Sequence, residues 1–375
     1  MRVIISGGGT GGHVYPALSV VEALKATGPC DISLLYVGSE GGVEAVLAQR
    51  QGIAFQAIAA GQVRGLAPWV VARNFIRLVR GLIQARRIVR EFSPQAVLVT
   101  GGYVCVPVAL AAWLQHIPVL IYLPDLEPGL AIRVLSRFAT RVAVSFPEVR
   151  RYFRADKTVV TGYPVRAAFF AADKVSARAT FDLVTDVQVV TVFGGSRGAR
   201  SINRALCAIL DELLERCQVL HISGALDAEW VADRAKSLPT GLRARYRHYP
   251  YLHEEMVDAL AAADLVVARA GASTIGEFPA LALPSILIPY PYAGQHQDVN
   301  AEYLVQRGAA VKIADAELSS KLLPTIQALL DDRERLAEMS ARARALAQPE
   351  AAQRIAEEIL RLAKETRGAG FHAIE

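Results

Sequence analysis

The groups able to do chemistry in this 375-residue chain gather in four stretches. The first is Ser6-Gly7-Gly8-Gly9-Thr10-Gly11-Gly12-His13. Consecutive glycines at the mouth of a helix leave backbone N–H groups uncovered at the positive end of the helix dipole, which suits an anion or a polar ligand. His13 at that entrance reads either as a proton-transfer group or as a helix-terminal imidazole bonded to backbone. The second stretch, Gly194-Gly195-Ser196-Arg197-Gly198-Ala199-Arg200, repeats the arrangement in the other half of the chain. The third runs from Arg269 to Glu277: small residues admit a ligand close to the backbone, Ser273 and Thr274 can cap a helix, and Glu277 falls one turn inside it. A carboxylate there can accept both hydrogens of a vicinal diol such as a ribose, or simply complete a capping box. In the fourth, Gln295, His296, Gln297, Asp298 and Asn300 crowd polar groups into what reads as a loop after a strand. That is the usual ligand crevice of open α/β sheets, or a plain connection.

The first turn formally contains Gly7-x-Gly9-x-x-Gly12, so a dinucleotide-dependent oxidoreductase has to be weighed. The acid that pattern requires at the end of the second strand is represented only by Glu40, after Gly38-Ser39. No Asp-x-Asp pair occurs, which removes the commonest short metal-diphosphate motif. A diphosphate would then be balanced by helix dipoles, backbone amides and side chains such as Arg166, Ser196 and Arg197. The four cysteines and the histidines show no ligand spacing, so buried free thiols, no structural metal and no cofactor are expected.

Elements that position these groups follow from hydrophobic patterning. Strands are expected at Val3–Ser6, Ile32–Gly38, Ala54–Ala59, Ala96–Thr100, Val119–Tyr122, Arg141–Ser145 and Thr158–Thr161. A second series follows at Val187–Phe193, Gln218–Ser223, Tyr246–Tyr249, Leu265–Ala268, Ser285–Ile288 and Ala310–Ile313. Short β-rich runs alternating with helical ones indicate an α/β chain with two doubly wound parallel sheets facing one cleft. Helices are expected from near Pro16 and from about Ile202, and Gly162 to Arg166 reads as a hinge. Expected domains are 1–164 and 165–345, with a tail helix at about 346–367 crossing back onto the first. The apolar region Val104–Leu123 contains Pro107, Gln115, His116 and Pro118 and reads as a helix followed by a strand rather than as a membrane span.

A composition of 53% hydrophobic and 21% charged residues describes a globular protein, and no targeting segment is visible. The net charge of +5 is unevenly spread. Arg64, Arg73, Arg77, Arg80, Arg86, Arg87 and Arg90 precede the first acid, Glu91, and Trp69, Phe75, Ile76, Val79 and Ile83 are interleaved with them. That mixture suits an interfacial helix on an anionic membrane, or an ordinary amphipathic helix with a solvated basic face. No nucleic-acid partner is expected.

Taken in order, the motifs resemble the MurG family, which adds N-acetylglucosamine to undecaprenyl-diphospho-muramoyl-peptide in peptidoglycan synthesis. Gly8 to His13 followed by Pro16-Ala17-Leu18 is similar to the family's first glycine loop, Gly101-Gly102-Tyr103-Val104 to its second and Gly194 to Ala199 to its third. Arg269 to Glu277 and His296-Gln297 resemble its donor segments, and Pro164-Val165-Arg166 its inter-domain strand end. The resemblance implies a GT-B fold that takes a UDP-N-acetylglucosamine donor mainly on the second domain and a polyprenyl-diphosphate-linked acceptor on the first. It also implies a peripheral position on the cytoplasmic face of the cell membrane. His13 is then the base or acceptor-positioning group, and Thr10, Gly11 and Gly12 line the sugar and diphosphate. Arg166, Ser196, Leu252, Ala272, Ser273, Thr274, Ile275, Gly276, Glu277 and Gln297 hold the nucleotide sugar, with Leu252 near the uracil and Glu277 on the ribose. One departure stands out: Tyr122-Leu123-Pro124-Asp125 replaces the family's His-Glu-Gln-Asn, so Asp125 takes the place of an amide aimed at the sugar. His221-Ile222-Ser223-Gly224 is likewise altered. A transferase for another lipid-linked acceptor and a non-catalytic sugar-nucleotide binder are the readings these departures leave open.

Overall fold

Runs such as Val3-Ile4-Ile5 and Val97-Leu98-Val99 have no accessible surface at all, and only a strand covered on both faces gives consecutive side chains that environment. The computed structural model describes residues 1–9, 11–61, 68–195, 198–292 and 296–371. Its first seven strands are β1 (Arg2–Ser6), β2 (Ser33–Ser39), β3 (Ala54–Ile58), β4 (Ala96–Val99), β5 (Val119–Leu123), β6 (Arg141–Val144) and β7 (Thr158–Val160). They form one sheet in the order β3-β2-β1-β4-β5-β6-β7, parallel at every pairing. The next six are β8 (Val189–Phe193), β9 (Gln218–Ile222), β10 (Tyr246–Tyr249), β11 (Leu265–Ala268), β12 (Ser285–Leu287) and β13 (Ala310–Lys312). Their sheet is parallel too, in the order β10-β9-β8-β11-β12-β13. Every expected strand forms, and the largest shift of an end is at Val187, where β8 begins instead at Val189.

The chain divides into two units, one of residues 1–166 with 350–375 and one of 167–349. In the first, the helix Gly11–Thr27 and the closing helix Ala351–Phe371 cover one face of the sheet. Ile355, Ala356, Ile359, Leu362 and Ala363 fall on one stripe at helical spacing and share a core with Ala17, Val20, Val21 and Leu24. Each large member of that stripe contributes on the order of 2 kcal/mol by leaving water. In the second unit the helix Arg200–Arg216 packs Leu206, Leu210, Leu213 and Leu214 against β8 and β9, while Phe181, Leu183, Ala259 and Ala262 lie in a separate cluster with Val189 and Leu220.

Several local expectations are corrected. The first helix begins at Gly11, not near Pro16, which sits inside it; the missing proline N–H forgoes only the bond to Gly12. The helix after the second glycine turn begins at Arg200 rather than Ile202. Gln297, Asp298 and Asn300 lie on a helix, His296–Gln306, and not in a loop. Cys30 is exposed, whereas Cys105, Cys207 and Cys217 are the buried thiols. Among the described residues no helix is long and apolar enough to cross a membrane.

Candidate functional site

Each sheet has one place where the strand order reverses: between β1 and β4 in the first unit and between β8 and β11 in the second. Connections on the two sides of such a point leave to opposite faces, opening a crevice at the strands' carboxyl ends. The glycine stretches occupy these two points.

In the first unit, two glycine turns interlock around His13. Gly8 donates its N–H to the Gly101 carbonyl at 3.1 Å, and Thr100 donates its N–H to Ser6 at 2.9 Å. A methyl group on Gly7 would stand 2.1 Å from Thr100 Oγ1, and one on Gly102 would stand 2.3 Å from the Gly8 carbonyl oxygen. Only glycine permits that approach. Tyr36 Oη donates to the Gly7 carbonyl at 2.8 Å, and Thr100 Oγ1 to the His13 carbonyl at 2.7 Å. His13 Nδ1 is 3.2 Å from the Gly8 carbonyl oxygen. A carbonyl only accepts, so Nδ1 carries the proton and Nε2 is the proton-accepting nitrogen of the neutral ring. Gly101 (φ 125°) bounds that edge: a methyl group on it would meet His13 Cδ2 at 2.6 Å and Nε2 at 2.8 Å. The Gly8 amide is thus spent within the protein, against the dinucleotide reading of this turn.

Beneath the turn, Glu44 is fully buried, and its Oε1 accepts from Ser39 N at 2.7 Å and from Ser39 Oγ. Cys105 Sγ donates to the Gly101 carbonyl at 2.8 Å, and burial pushes its thiol up to about 11, which keeps it protonated and unreactive. Tyr122 packs in the core, donating or accepting with Ser145 Oγ at 2.7 Å. Asp125, two residues past β5, is half-buried. Arg166 is buried with its guanidinium 5.2 Å from the centre of the Tyr15 ring, a cation–π contact. Gly11 and Gly12 open the first helix. Thr10 lies outside the described residues, as do Ser196 and Arg197.

In the second unit, the turn after β8 is closed by Gly198 N–H donating to the Gly195 carbonyl at 2.9 Å. Beside it, after β11, Gly271 faces open space. The helix Thr274–Ala280 follows. Thr274 Oγ1 donates to the Gly271 carbonyl at 2.7 Å, while the Ser273 side chain makes no cap, contrary to the sequence expectation. Thr274, Ile275 and Gly276 are buried, so Ala272, Ser273 and Glu277 are the half-buried members of the segment. Leu252, after β10, is partly buried against the cluster that contains Phe181, Leu220 and Ile222. Gln297 accepts from Tyr290 N at 2.9 Å, which leaves its amide NH₂ as the group it can offer. Asn300 is buried and donates to the Ala270 carbonyl at 3.2 Å, and the side chain of His296 lies outside the described residues.

Arg269 is tied into the fold through both of its terminal nitrogens. Its Nη1 donates to the Ile288 and Pro289 carbonyls, both at 3.2 Å, and pairs with Asp315, while Nη2 donates to Ser201 Oγ at 2.8 Å. One guanidinium therefore ties together the carboxyl ends of β11 and β12, the segment after β13 and the first turn of the helix after β8. Sequence reasoning passed over Asp315 and Ser201, although asking what polar residue follows each strand would have found Asp315. A cavity of about 780 Å³ lies elsewhere, at the amino ends of the strands, lined by Lys174, Gln188, Asp264 and Arg333. Ligands of open parallel sheets bind at the opposite ends, so the glycine turns carry the functional argument. Among the described residues no three His, Cys, Asp or Glu side chains gather to hold a metal ion.

Residues 3–144 match the glycosyltransferase family 28 N-terminal domain and residues 189–357 the glycosyltransferase family 28 C-terminal domain. The chain is 44% identical, over 97% of its length and 99% of the relative's, to the UDP-N-acetylglucosamine--N-acetylmuramyl-(pentapeptide) pyrophosphoryl-undecaprenol N-acetylglucosamine transferase of Desulforudis audaxviator. The Bacillus subtilis protein of the same name is 38% identical over 95% of this chain and 98% of its own. The crystal structure of Acinetobacter baumannii MurG aligns with a TM-score of 0.73 at 28% identity, covering 96% of this chain and 99% of that one. A UDP-GlcNAc 2-epimerase from Neisseria meningitidis bound to UDP-GlcNAc, at 14% identity and a TM-score of 0.69, shares the fold alone.

Proposed function

The chain belongs to glycosyltransferase family 28 and to its MurG members, and from that membership we propose how its residues carry out the transfer. The protein is an N-acetylglucosamine transferase of the GT-B fold. It moves N-acetylglucosamine from UDP-N-acetylglucosamine to the polyprenyl-diphosphate-linked N-acetylmuramyl-pentapeptide in peptidoglycan synthesis, the step from lipid I to lipid II. The observation that carries the assignment is identity of 38–44% to transferases of that name over nearly the whole chain. The oxidoreductase and the non-catalytic binder fall with it.

In the mechanism we infer, the muramoyl C4 hydroxyl attacks the anomeric carbon from the face opposite UDP and inverts it from α to β. His13 Nε2 takes the hydroxyl proton as the new bond forms; the Gly8 contact supports this role by fixing the accepting tautomer. Charge grows on the departing diphosphate, and the amides at the mouth of the Arg200–Arg216 helix, with Ser196, stabilise it without a cation. Glu277 holds the ribose diol, Leu252 backs the uracil, and the Gln297 NH₂ group and Ala272-Ser273 face the sugar. Arg166 serves the diphosphate, Thr10 to Gly12 line the sugar and diphosphate, and Asp125 accepts from a sugar or acceptor hydroxyl.

The helix Pro68–Phe92 is the membrane-facing element in this reading. Trp69, Phe75, Ile76 and Ile83 are 75%, 62%, 61% and 67% exposed, and Arg73, Arg77 and Arg80 stand exposed among them. A helix facing only water gains nothing from those apolar side chains, while an interfacial one buries them beside anionic head groups. Gly81 turns its other side inward: a methyl group there would be 2.0 Å from the Ala59 carbonyl oxygen. Arg64 lies outside the described residues. The decisive experiment is transfer of radiolabelled N-acetylglucosamine from its UDP donor to the lipid-linked acceptor by purified protein. Absence of labelled lipid from folded, UDP-binding protein would overturn the acceptor assignment.

A further inference from the structure

Behind the second glycine turn runs a buried polar chain that ends in the first turn of the helix after β8 and packs against the turn from inside the unit. A methyl group on Gly198 (φ 75°) would stand 2.4 Å from the Ser223 carbonyl oxygen, so the turn rests directly on the peptide that follows β9. That same carbonyl accepts from Asn203 Nδ2 at 2.9 Å. Asn203 also donates to Asp227 Oδ2 at 2.9 Å, and Asp227 Oδ1 accepts from Arg200 Nε at 2.9 Å and Nη2 at 2.8 Å. Arg200 and Asn203 occupy the first turn of the helix whose amides open toward the diphosphate in the reading above.

The chain continues inward. His221 Nε2 lies 2.9 Å from Asn203 Oδ1, and His221 Nδ1 lies 2.7 Å from Tyr246 Oη. Since both Asn203 amide hydrogens are spent on acceptors, its oxygen is the acceptor for His221, and Tyr246 then donates to Nδ1. Each donor has one acceptor, so the network has a single direction from Tyr246 to Asp227. The Asp227 side chain is 4% exposed while that of Arg200 is 59% exposed, which makes the carboxylate the fixed post and the arginine its outer tie. His248 Nε2 and Ser223 Oγ, 2.8 Å apart, flank the same peptide.

We propose that Asp227 is a positioning residue for the donor diphosphate: through Arg200 and Asn203 it sets where the first turn of the Arg200–Arg216 helix presents its amides. This rests on the reading that the diphosphate sits at that helix mouth. An amide at position 227 offers one oxygen and one NH₂ group where Arg200, Asn203 and the Trp230 indole all donate to the carboxylate, so Asp227→Asn forces a donor against a donor and weakens the ties to the helix. Asp227→Asn weakens UDP binding and raises KM for UDP-N-acetylglucosamine on the order of tenfold, the scale of one charge-assisted hydrogen bond. KM for the lipid acceptor stays near the wild-type value, while kcat falls along with donor affinity because the same amides stabilise the departing diphosphate. Arg200→Ala removes only the exposed tie and gives a smaller change in the same direction, which keeps the test informative if Asp227→Asn melts. Calorimetry with UDP separates the two levels of inference. Wild type that takes up no UDP refutes the donor reading itself, whereas wild-type uptake unchanged in both variants refutes the role of Asp227. A fall in apparent kcat with both KM values unchanged would equally overturn it, since that pattern is only a smaller folded fraction.

Discussion

Substituting Gly101 by alanine tests the assignment of His13 without touching its side chain. Two costs are readable from the structure. Gly101 has φ 125°, where an L residue is strained by about 1–3 kcal/mol. The added methyl would also lie 2.6 Å from His13 Cδ2 and 2.8 Å from Nε2, so the ring has to swing away by most of an ångström to restore an ordinary contact near 3.5 Å. A displacement of that size at the proton-accepting nitrogen costs on the order of 100-fold in kcat. Gly52→Ala is the matched control: φ is 63°, and a methyl there meets nothing within 4 Å, so it carries backbone strain alone. The assay is initial-rate transfer of labelled N-acetylglucosamine to the lipid acceptor, with thermal melting and UDP calorimetry alongside. Gly101→Ala is expected to lose turnover while UDP binding changes far less, because Ser196, Leu252, Ala272 to Glu277 and Gln297, proposed above to hold the nucleotide sugar, lie in the other unit. Gly52→Ala is expected to melt lower with turnover intact. Gly101→Ala with wild-type kcat would refute the placement of His13 Nε2 at the reacting hydroxyl.

Replacing Arg73, Arg77 and Arg80 together removes three charges worth about 1 kcal/mol each near an anionic surface, so flotation with phosphatidylglycerol vesicles should fall roughly 100-fold in partition, and unchanged binding excludes this helix as the contact. Glu277→Ala is expected to raise KM for the donor on the order of tenfold to a hundredfold by removing two hydrogen bonds to the ribose, with acceptor KM unaffected, as measured by donor titration. Burial lowers His221 to about 3, so between its unfolded value and about 3 the unfolded chain binds the extra proton. Stability is then full above about pH 6.5 and falls by about 1.4 kcal/mol per pH unit as acid is added. His221→Gln should flatten that acid limb in denaturant melts, and an unchanged limb would assign it to other groups. Chelators should leave transfer unaffected, since the proposed diphosphate site relies on amides and arginines; loss of activity with EDTA restored by a divalent cation would refute the cation-free reading.

The fold was legible because parallel strands covered on both faces need uninterrupted aliphatic runs, and runs such as Val189–Phe193 and Leu265–Ala268 have no second use. Helix starts were less legible: glycine is a poor helix former in water, yet Gly11 and Gly12 are helical because Thr100 Oγ1 and the Gly8 carbonyl anchor His13 from outside the segment. Side-chain partners were less legible for a different reason. Arg269 stands in the motif beside Gly271 and Ser273, and its charge invites a phosphate role, but its guanidinium is consumed by Ile288, Pro289, Asp315 and Ser201. Local spacing reports which groups a turn contains, whereas whether a cation is available to a ligand depends on partners 68 and 46 residues away. The same holds for the altered His221-Ile222-Ser223-Gly224 segment, where His221 is a buried neutral link rather than a ligand group. Motif residues thus divide by role: the proposed mechanism assigns His13, Glu277 and Gln297 to substrate, while Arg269 and His221 bond to side chains and carbonyls inside the unit. A substitution in the second class should therefore act through the glycine turns it supports, changing donor affinity before chemistry, and a first-class substitution should do the reverse only at His13.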